Sequence, residues 1–232
     1  MIPLKDNIPS YRKPVINYFI IFLNTLVFIY QYFILSSRFE IEHFIHKFGF
    51  TPYMFLNEFP LSSYTILTSM FLHGGFMHFL GNMWFLYIFG DNVEDRYGHI
   101  KYFIVYILSG VAAVLLQFII NPLSVIPMIG ASGAISGVLG SYFVFYPSAG
   151  VVTFIPFGLF SRIVVLPAVI FLGLWFIFQF LSGTQSLAIQ AVLGRELGGV
   201  AYFAHIGGFL CGLITAILSK KRRRIKAYWR YL

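Results

Sequence analysis

The amino-acid sequence predicts an all-α membrane protein built as a bundle of six transmembrane helices. Of its 232 residues, 59% are hydrophobic and only 10% are charged, which is too few charges to cover a water-soluble globule of this size. The charged residues also leave long uncharged windows, at 15–37, 59–90, 102–161, 163–194 and 197–219. This composition excludes a soluble enzyme.

Each uncharged window can hold the roughly 20 apolar residues that cross a bilayer. The longest window supplies two helices, because Asn121-Pro122 and Pro147 interrupt it, and every other window supplies one. The predicted helices are 15–35, 74–90, 102–120, 132–146, 163–181 and 200–219. Residues 1–14 are predicted as a cytoplasmic N-terminal segment, 15–219 as the membrane domain and 220–232 as a basic cytoplasmic tail.

The basic residues orient the predicted helices. Of the 16 Lys and Arg residues, all but Arg38, Lys47 and Arg195 fall on one side of the spans, and basic loops stay cytoplasmic. Both termini are therefore expected in the cytoplasm, and the plasma membrane of a bacterium or archaeon is the predicted location. The basic tail adjoins a span and is expected to contact anionic lipid, whereas no nucleic-acid partner is expected because base-reading architecture is absent.

The predicted fourth helix is short and follows an uncharged linker, 121–131, that contains two prolines and a glycine. Its outer end should lie below the membrane surface. Irregular backbone at that depth is tolerated only where protein covers it or where it lines a water-filled cavity. The sequence thus predicts a recessed polar pocket at the start of this helix. The preceding segment 36–73 is rich in Phe and Tyr and is expected at the outer interface.

Small residues crowd the start of the fourth helix. The series Gly133, Gly137 and Ser141 is typical of close helix packing in membranes. The same segment offers a candidate nucleophile, Ser132, whose hydroxyl would lie beside the unpaired amides of a helix N-terminus. Both interpretations fit the string Gly130-Ala131-Ser132-Gly133.

Polar residues on two other helices reach the same depth as Ser132. His205 precedes a second small-residue face, Gly208 and Gly212, and His78 and Asn82 share one face of the second helix. Measured from the cytoplasmic ends of their helices at about 1.5 Å per residue, Ser132, His205 and His78 all lie roughly 20 Å above the inner boundary. A histidine inside a span marks a polar interior. An interhelical hydrogen bond between packed helices would also explain His78 and Asn82.

The distribution of acidic residues limits the catalytic mechanisms that the chain can use. All eight Asp and Glu residues fall in tails, loops or helix ends, so no aspartyl pair is buried and none is placed to orient His205. No metal site is predicted, because His73 and His78 diverge and no carboxylate completes a ligand set, and no cofactor is expected. A serine nucleophile would rely on a Ser-His pair.

Three motifs together resemble the rhomboid family of intramembrane serine proteases. They are residues 73–82 (HGGFMHFLGN), 130–133 (GASG) and 204–208 (AHIGG), on the second, fourth and sixth helices. The resemblance implies a six-helix bundle of rhomboid type with Ser132 as nucleophile and His205 as general base. It also implies that His78, Asn82 and the amide of Ser132 stabilise the oxyanion. Residues 94–98 resemble a further family stretch, for which a structural role is expected.

The sequence departs from the family pattern in two places. Tyr64-Thr65 stands where a Trp-Arg pair is common, and Ser136 stands where some members place an aromatic that stacks on the base. The resemblance implies that transmembrane protein substrates enter sideways between helices and are cleaved near the outer face, with local unwinding of the substrate helix.

Two other functions use the same residues. The first is a catalytically inactive rhomboid-like protein that binds transmembrane clients without cutting them. The second is a channel or transporter, although no paired broken segments in two halves accompany the buried polar groups. Labelling by a serine-directed fluorophosphonate distinguishes both from a protease.

Overall fold

A computed structural model describes residues 1–156, 158–196 and 198–220. Nine helices and three strands lie in the described residues. In chain order they are β1 (Ile2–Asp6), α1 (Val15–Ile29, extended by a π-helical turn Tyr30–Ile34), α2 (Arg38–Phe48), α3 (Pro52–Glu58), α4 (Thr65–Thr68), α5 (Phe76–Tyr97), α6 (His99–Ile120), α7 (Ser132–Phe145), β2 (Gly150–Ile155), β3 (Arg162–Pro167), α8 (Ala168–Leu193) and α9 (Tyr202–Lys220).

The predicted class, an all-α membrane bundle with six principal helices, is confirmed. Helices α1, α6, α8 and α9 are each long and apolar enough to cross a membrane, counting the π-helical turn with α1. The other two predicted spans correspond to α5, which ends in a charged turn, and α7, which has only 14 residues. Helix α7 lies at the centre, in contact with α5, α6, α8 and α9, and every residue from 133 to 142 is buried.

Backbone contact between α7 and α9 sets the centre of the bundle. A Cβ at Gly208 would lie 1.9 Å from the carbonyl oxygen of Gly133, and a Cβ at Gly212 would lie 1.8 Å from that of Gly137. Only hydrogen fits at these two positions. The small-residue faces predicted on both helices therefore form a single interface, in which van der Waals contact between backbones stabilises the pair.

The stretch 94–98 has the structural role that was expected of it. The buried carboxylate of Glu94 accepts hydrogen bonds from the amides of Ile16 and Asn17, at 3.0 and 2.7 Å, and so caps the N-terminus of α1. Gly98 has a φ of +79° and turns the chain from α5 into α6. The hydroxyl of Tyr97 lies 3.2 Å from Ser141 Oγ on α7.

The N-terminal segment 1–14 and the α7–α8 connection form a three-stranded antiparallel sheet that the sequence analysis did not predict. Strand β2 is central, with Ile2 opposite Phe154 in β1 and Leu166 opposite Val151 in β3. The fifth predicted helix, 163–181, was therefore wrong at both ends, since α8 is Ala168–Leu193. The run 163–165 is β-branched and precedes Pro167, which favours a strand.

Asp6 connects the sheet to the bundle. Its carboxylate accepts a hydrogen bond from the hydroxyl of Tyr142 on α7 and one from Asn92 Nδ2 on α5, the latter at 2.9 Å. Burial raises the pKa of Asp6 from 3.8 to about 6, and the charge of Asp91 acts in the same direction, whereas the Tyr142 hydrogen bond opposes it. The folded protein therefore favours the protonated carboxyl.

We expect Gly212→Ala to lower the thermal unfolding midpoint, because overpacking costs typically about 1–3 kcal/mol and the Gly137 backbone cannot yield as a side chain would. Circular dichroism in detergent micelles measures the midpoint. The matched control is Gly81→Ala on α5, where an added Cβ meets nothing within 4 Å. Equal midpoints for the two variants would contradict the close α7–α9 contact.

Asp6 should make stability depend on pH. Since its folded pKa of about 6 exceeds the ordinary value of 3.8, its stabilising contribution is complete below about pH 4 and is lost as pH rises through 6. We expect the unfolding midpoint of Asp6→Asn to depend less on pH than that of wild type. Between pH 4.5 and 7 the midpoint of the variant should therefore rise relative to that of wild type. Glu42→Gln, at an exposed position on α2, is the control. A constant difference across this pH range would refute the assignment.

Candidate active site

A cavity of about 1160 Å³ lies among helices α5 to α9 and the irregular segment 121–131. It occupies the place that the sequence predicted for a polar pocket, at the start of the fourth helix. All four predicted site residues line it, namely His78, Asn82, Ser132 and His205. Three different helices thus contribute polar side chains to a single cavity.

Ser132 and His205 are in direct contact. Helix α7 begins at Ser132, and the serine Oγ lies 2.8 Å from Nε2 of His205 on α9. The distance is that of a normal hydrogen bond. The contact follows from the glycine interface between α7 and α9. Ser132 directly precedes Gly133 and His205 lies three residues before Gly208, so the close approach of the two glycines also brings the serine and the histidine together. A hydroxyl and an imidazole in this arrangement can exchange a proton.

His78 presents a proton donor to the cavity. The amide of Gly74 donates to His78 Nδ1 at 3.2 Å, so the neutral ring carries its proton on Nε2. Gly130, with a φ of +125°, lies beside Nε2, since a Cβ there would come within 2.8 Å of it and within 3.6 Å of Ser132 Oγ. Glycine at position 130 keeps the space between His78 and Ser132 open.

Two further donors face the same region. Asn82 is 8% exposed, and its buried Nδ2 has no hydrogen-bond partner. A buried amide without a partner is rare and indicates a missing acceptor. The backbone amide of Ser132 belongs to the first turn of α7, where amides have no acceptor within the helix. Together with His78, these groups could bind an oxygen that carries negative charge.

His73, the first residue of the second-helix motif, lies behind His78 instead of in the cavity wall. It is fully buried, and its carbonyl accepts hydrogen bonds from Gln31 Nε2 at 2.8 Å and from the Tyr32 hydroxyl at 3.0 Å. The ring centroids of His73 and His78 are 5.3 Å apart in an edge-on arrangement. His73 therefore supports the segment that carries His78.

Two residues of α8 contact His205, and sequence reasoning missed both. Gln179 Oε1 lies 2.8 Å from His205 Nδ1, and the Trp175 ring lies 5.9 Å from the imidazole, centroid to centroid, at 30°. Ser136 does not reach the base, because its hydroxyl donates to the Ser132 carbonyl. A glutamine between phenylalanines inside an apolar span was the available signal, since polar side chains in spans find partners on other helices.

Glu196 joins two loops over the cavity. Its carboxylate accepts hydrogen bonds from Asn121 Nδ2 at 2.8 Å, Ser124 Oγ at 3.0 Å and the amide of Val125 at 3.2 Å. The segment between α8 and α9 is thereby fastened to the segment between α6 and α7. Over the described part of the chain, no group of three or more His, Cys, Asp or Glu side chains could hold a metal ion.

Comparisons with known proteins agree with the three motifs. The rhomboid domain family model matches residues 60–222. The chain is 27% identical over 192 residues to Rhomboid-like protein 11, chloroplastic, of Arabidopsis thaliana, covering 78% of this chain and 60% of that protein. It is 29% identical over 190 residues to Rhomboid protein 1, mitochondrial, of Saccharomyces cerevisiae, covering 77% and 50%. Rhomboid-like protease 5 of Toxoplasma gondii is 30% identical over 161 residues, covering 65% and 16%.

The predicted location, the plasma membrane of a bacterium or archaeon, is contradicted, because the Arabidopsis and yeast relatives are named as chloroplastic and mitochondrial proteins. Basic residues orient spans across a bilayer but carry no information on which bilayer it is. The chain spans 60% or less of the length of these three relatives. Because the family model covers most of the chain, the protein belongs to the rhomboid family and is a multi-pass membrane protein, either an intramembrane protease or a rhomboid-like protein.

Proposed function

We propose that the protein is an intramembrane serine endopeptidase that hydrolyses a peptide bond in or near transmembrane helices of membrane-protein substrates through a Ser132-His205 dyad. The observation that carries the proposal is the 2.8 Å hydrogen bond between Ser132 Oγ and His205 Nε2 in the wall of a large cavity. Membership of a family that includes a named protease supports it.

The first step forms an acyl-enzyme. Ser132 Oγ attacks the scissile carbonyl carbon while its proton passes to His205 Nε2, which acts as general base. The tetrahedral intermediate then collapses, the carbon–nitrogen bond breaks, and the His205 proton is transferred to the departing amine. The imidazole returns to its neutral form, because the proton taken from Ser132 leaves with the amine.

The second step releases the acid product. Water in the cavity attacks the acyl carbonyl, His205 accepts the proton of that water, and the ester bond to Ser132 breaks. The proton returns to Ser132 Oγ and restores the resting pair. The polar side chains in the cavity wall can hydrogen-bond water in a part of the bundle that lipid would otherwise keep dry.

The charge that develops in both steps is on the carbonyl oxygen. Three donors could surround this oxygen: His78 Nε2, Asn82 Nδ2 and the Ser132 amide. None of them has another acceptor among the described residues. Each makes its strongest interaction with the tetrahedral oxyanion, so the donors lower the barrier more than they strengthen substrate binding.

The substrates proposed are transmembrane proteins. A helix holds its carbonyls in hydrogen bonds, so the scissile segment must unwind before Ser132 can attack, and helix-weakening residues in the substrate should favour cleavage. Membrane lipid is the other proposed partner, with anionic lipid at the basic tail. Residues 221–232 of that tail lie outside the described residues. The names of the relatives favour an organellar membrane as the location.

The decisive measurement is labelling of the purified protein with a fluorophosphonate, followed by mass spectrometry of the adduct. We expect labelling at Ser132 that disappears in Ser132→Ala. The matched control is Ser136→Ala, one turn further along α7, whose hydroxyl is already engaged with a backbone carbonyl. This control should remain labelled. An unlabelled wild-type protein that still binds transmembrane clients would favour an inactive rhomboid-like protein instead.

Loss of one oxyanion donor should lower kcat with little change in KM. We expect His78→Ala to reduce kcat by about 10²–10³, because the donor acts mainly in the transition state. The rate is measured by cleavage of a transmembrane reporter in proteoliposomes. His46→Ala, on α2 outside the cavity, is the control. An unchanged kcat for His78→Ala would remove His78 from the oxyanion site.

A further inference from the structure

Both nitrogens of the His205 ring have partners, and these come from different helices. Nε2 faces Ser132 Oγ on α7, and Nδ1 faces Gln179 Oε1 on α8, each at 2.8 Å. The imidazole is thus held at two opposite points of its ring. A histidine bonded only to the serine could rotate about its side-chain torsions and lose the contact, whereas a second bond fixes the ring plane.

The partner atom on Gln179 decides where the ring proton lies. An amide oxygen can only accept a hydrogen bond, so Nδ1 must carry the proton of the neutral ring. Nε2 then has a free lone pair that points at the Ser132 hydroxyl. This is the one neutral tautomer in which His205 can take the serine proton.

The same face of α8 also restrains the plane of the ring. Trp175 lies four residues before Gln179, one helical turn away, and its ring lies 5.9 Å from that of His205. Trp175 in turn contacts Phe209, one turn after His205 on α9, at 6.1 Å. Helix α8 therefore provides an aromatic neighbour that position 136 on α7 does not.

Among the described residues, no carboxylate is available to accept a hydrogen bond from His205 Nδ1. The titratable residues that line the cavity besides His205 are His78, Glu196 and Tyr202. Glu196 is engaged with the loop donors Asn121 and Ser124. A neutral amide orients the base without the free-energy penalty of a charge inside a span.

On the basis of the proposed function, we propose that Gln179 is a positioning residue that accepts the Nδ1 proton of His205 and thereby sets the tautomer and orientation of the general base. The dyad thus acquires a third, uncharged member from α8. Its contribution is to geometry and tautomer, and it makes no contact with the reacting atoms.

The test compares three variants with wild type. Gln179→Met removes the acceptor at similar volume, Gln179→Glu keeps an acceptor at the same reach, and Gln190→Met is the control on the same helix, where the glutamine bonds Ser186 Oγ at 3.0 Å instead of His205. Nitrogen-15 NMR of histidine-labelled protein reads the tautomer, with the His205 signals assigned by His205→Asn. Rates on the transmembrane reporter give kcat and KM.

We expect wild-type and Gln190→Met protein to show protonated Nδ1 and unprotonated Nε2 at His205, and Gln179→Met to show mixed tautomers. Gln179→Met should lower kcat on the order of 10²-fold at unchanged KM, because a misplaced base costs about that much. Gln179→Glu should restore the Nδ1 proton and move the acid limb of the pH–rate profile to higher pH, since a carboxylate stabilises the protonated ring.

Two results would overturn the proposal: the same His205 tautomer in Gln179→Met as in wild type, or an unchanged kcat in that variant. These results are separable from failure of the proposed function. If wild-type protein neither labels with fluorophosphonate nor cleaves the reporter, the protease assignment fails. The NMR comparison would still decide whether Gln179 holds the Nδ1 proton.

Discussion

The geometry of the candidate site depends on one contact, the approach of the α7 and α9 backbones across facing glycines. A methyl group at Gly208 or Gly212 would overlap a carbonyl of the other helix. Because the axes are this close, residues just N-terminal to the two small faces, Ser132 and His205, fall within hydrogen-bond distance. Side chains of ordinary size along the same interface would hold the hydroxyl and the imidazole apart.

A second constraint comes from the shortness of α7. A helix of 14 residues leaves the preceding segment 121–131 within the depth of the bundle, where its backbone polar groups need partners. One hydrogen bond from the Val125 amide to Glu196 and two reciprocal backbone bonds between Phe50 and Met128 satisfy some of these groups. The cavity follows, because irregular backbone packs less tightly than a continuous helix would. The cavity and the irregular backbone beside it therefore have the same origin, the shortness of α7.

Much of the fold and of the candidate site could be predicted from residue patterns. The features that were missed were missed for physical reasons. The common depth of His78, Ser132 and His205 follows from helical rise, and the small faces follow from spacing. The sheet was missed because hydropathy windows register apolar residues without distinguishing β-branched strands from helices, and because β1 pairs with a partner far along the chain. Gln179 was missed because the rotation of α8 about its axis is set by packing, which spacing within one helix does not reveal.

The pairing of β1 with β2 has a consequence for biosynthesis. Strand β1 is translated before α1, yet its partner, Gly150–Ile155, is translated only after α7. Until then the first strand lacks its partner in the sheet, although Asn92 on α5 and Tyr142 on α7, which both bond Asp6, are already translated. Closing so long a loop is feasible because the intervening helices already hold the chain in the bilayer. Pairing of β1 with β2 is therefore a late event, which follows the translation of four of the six principal helices.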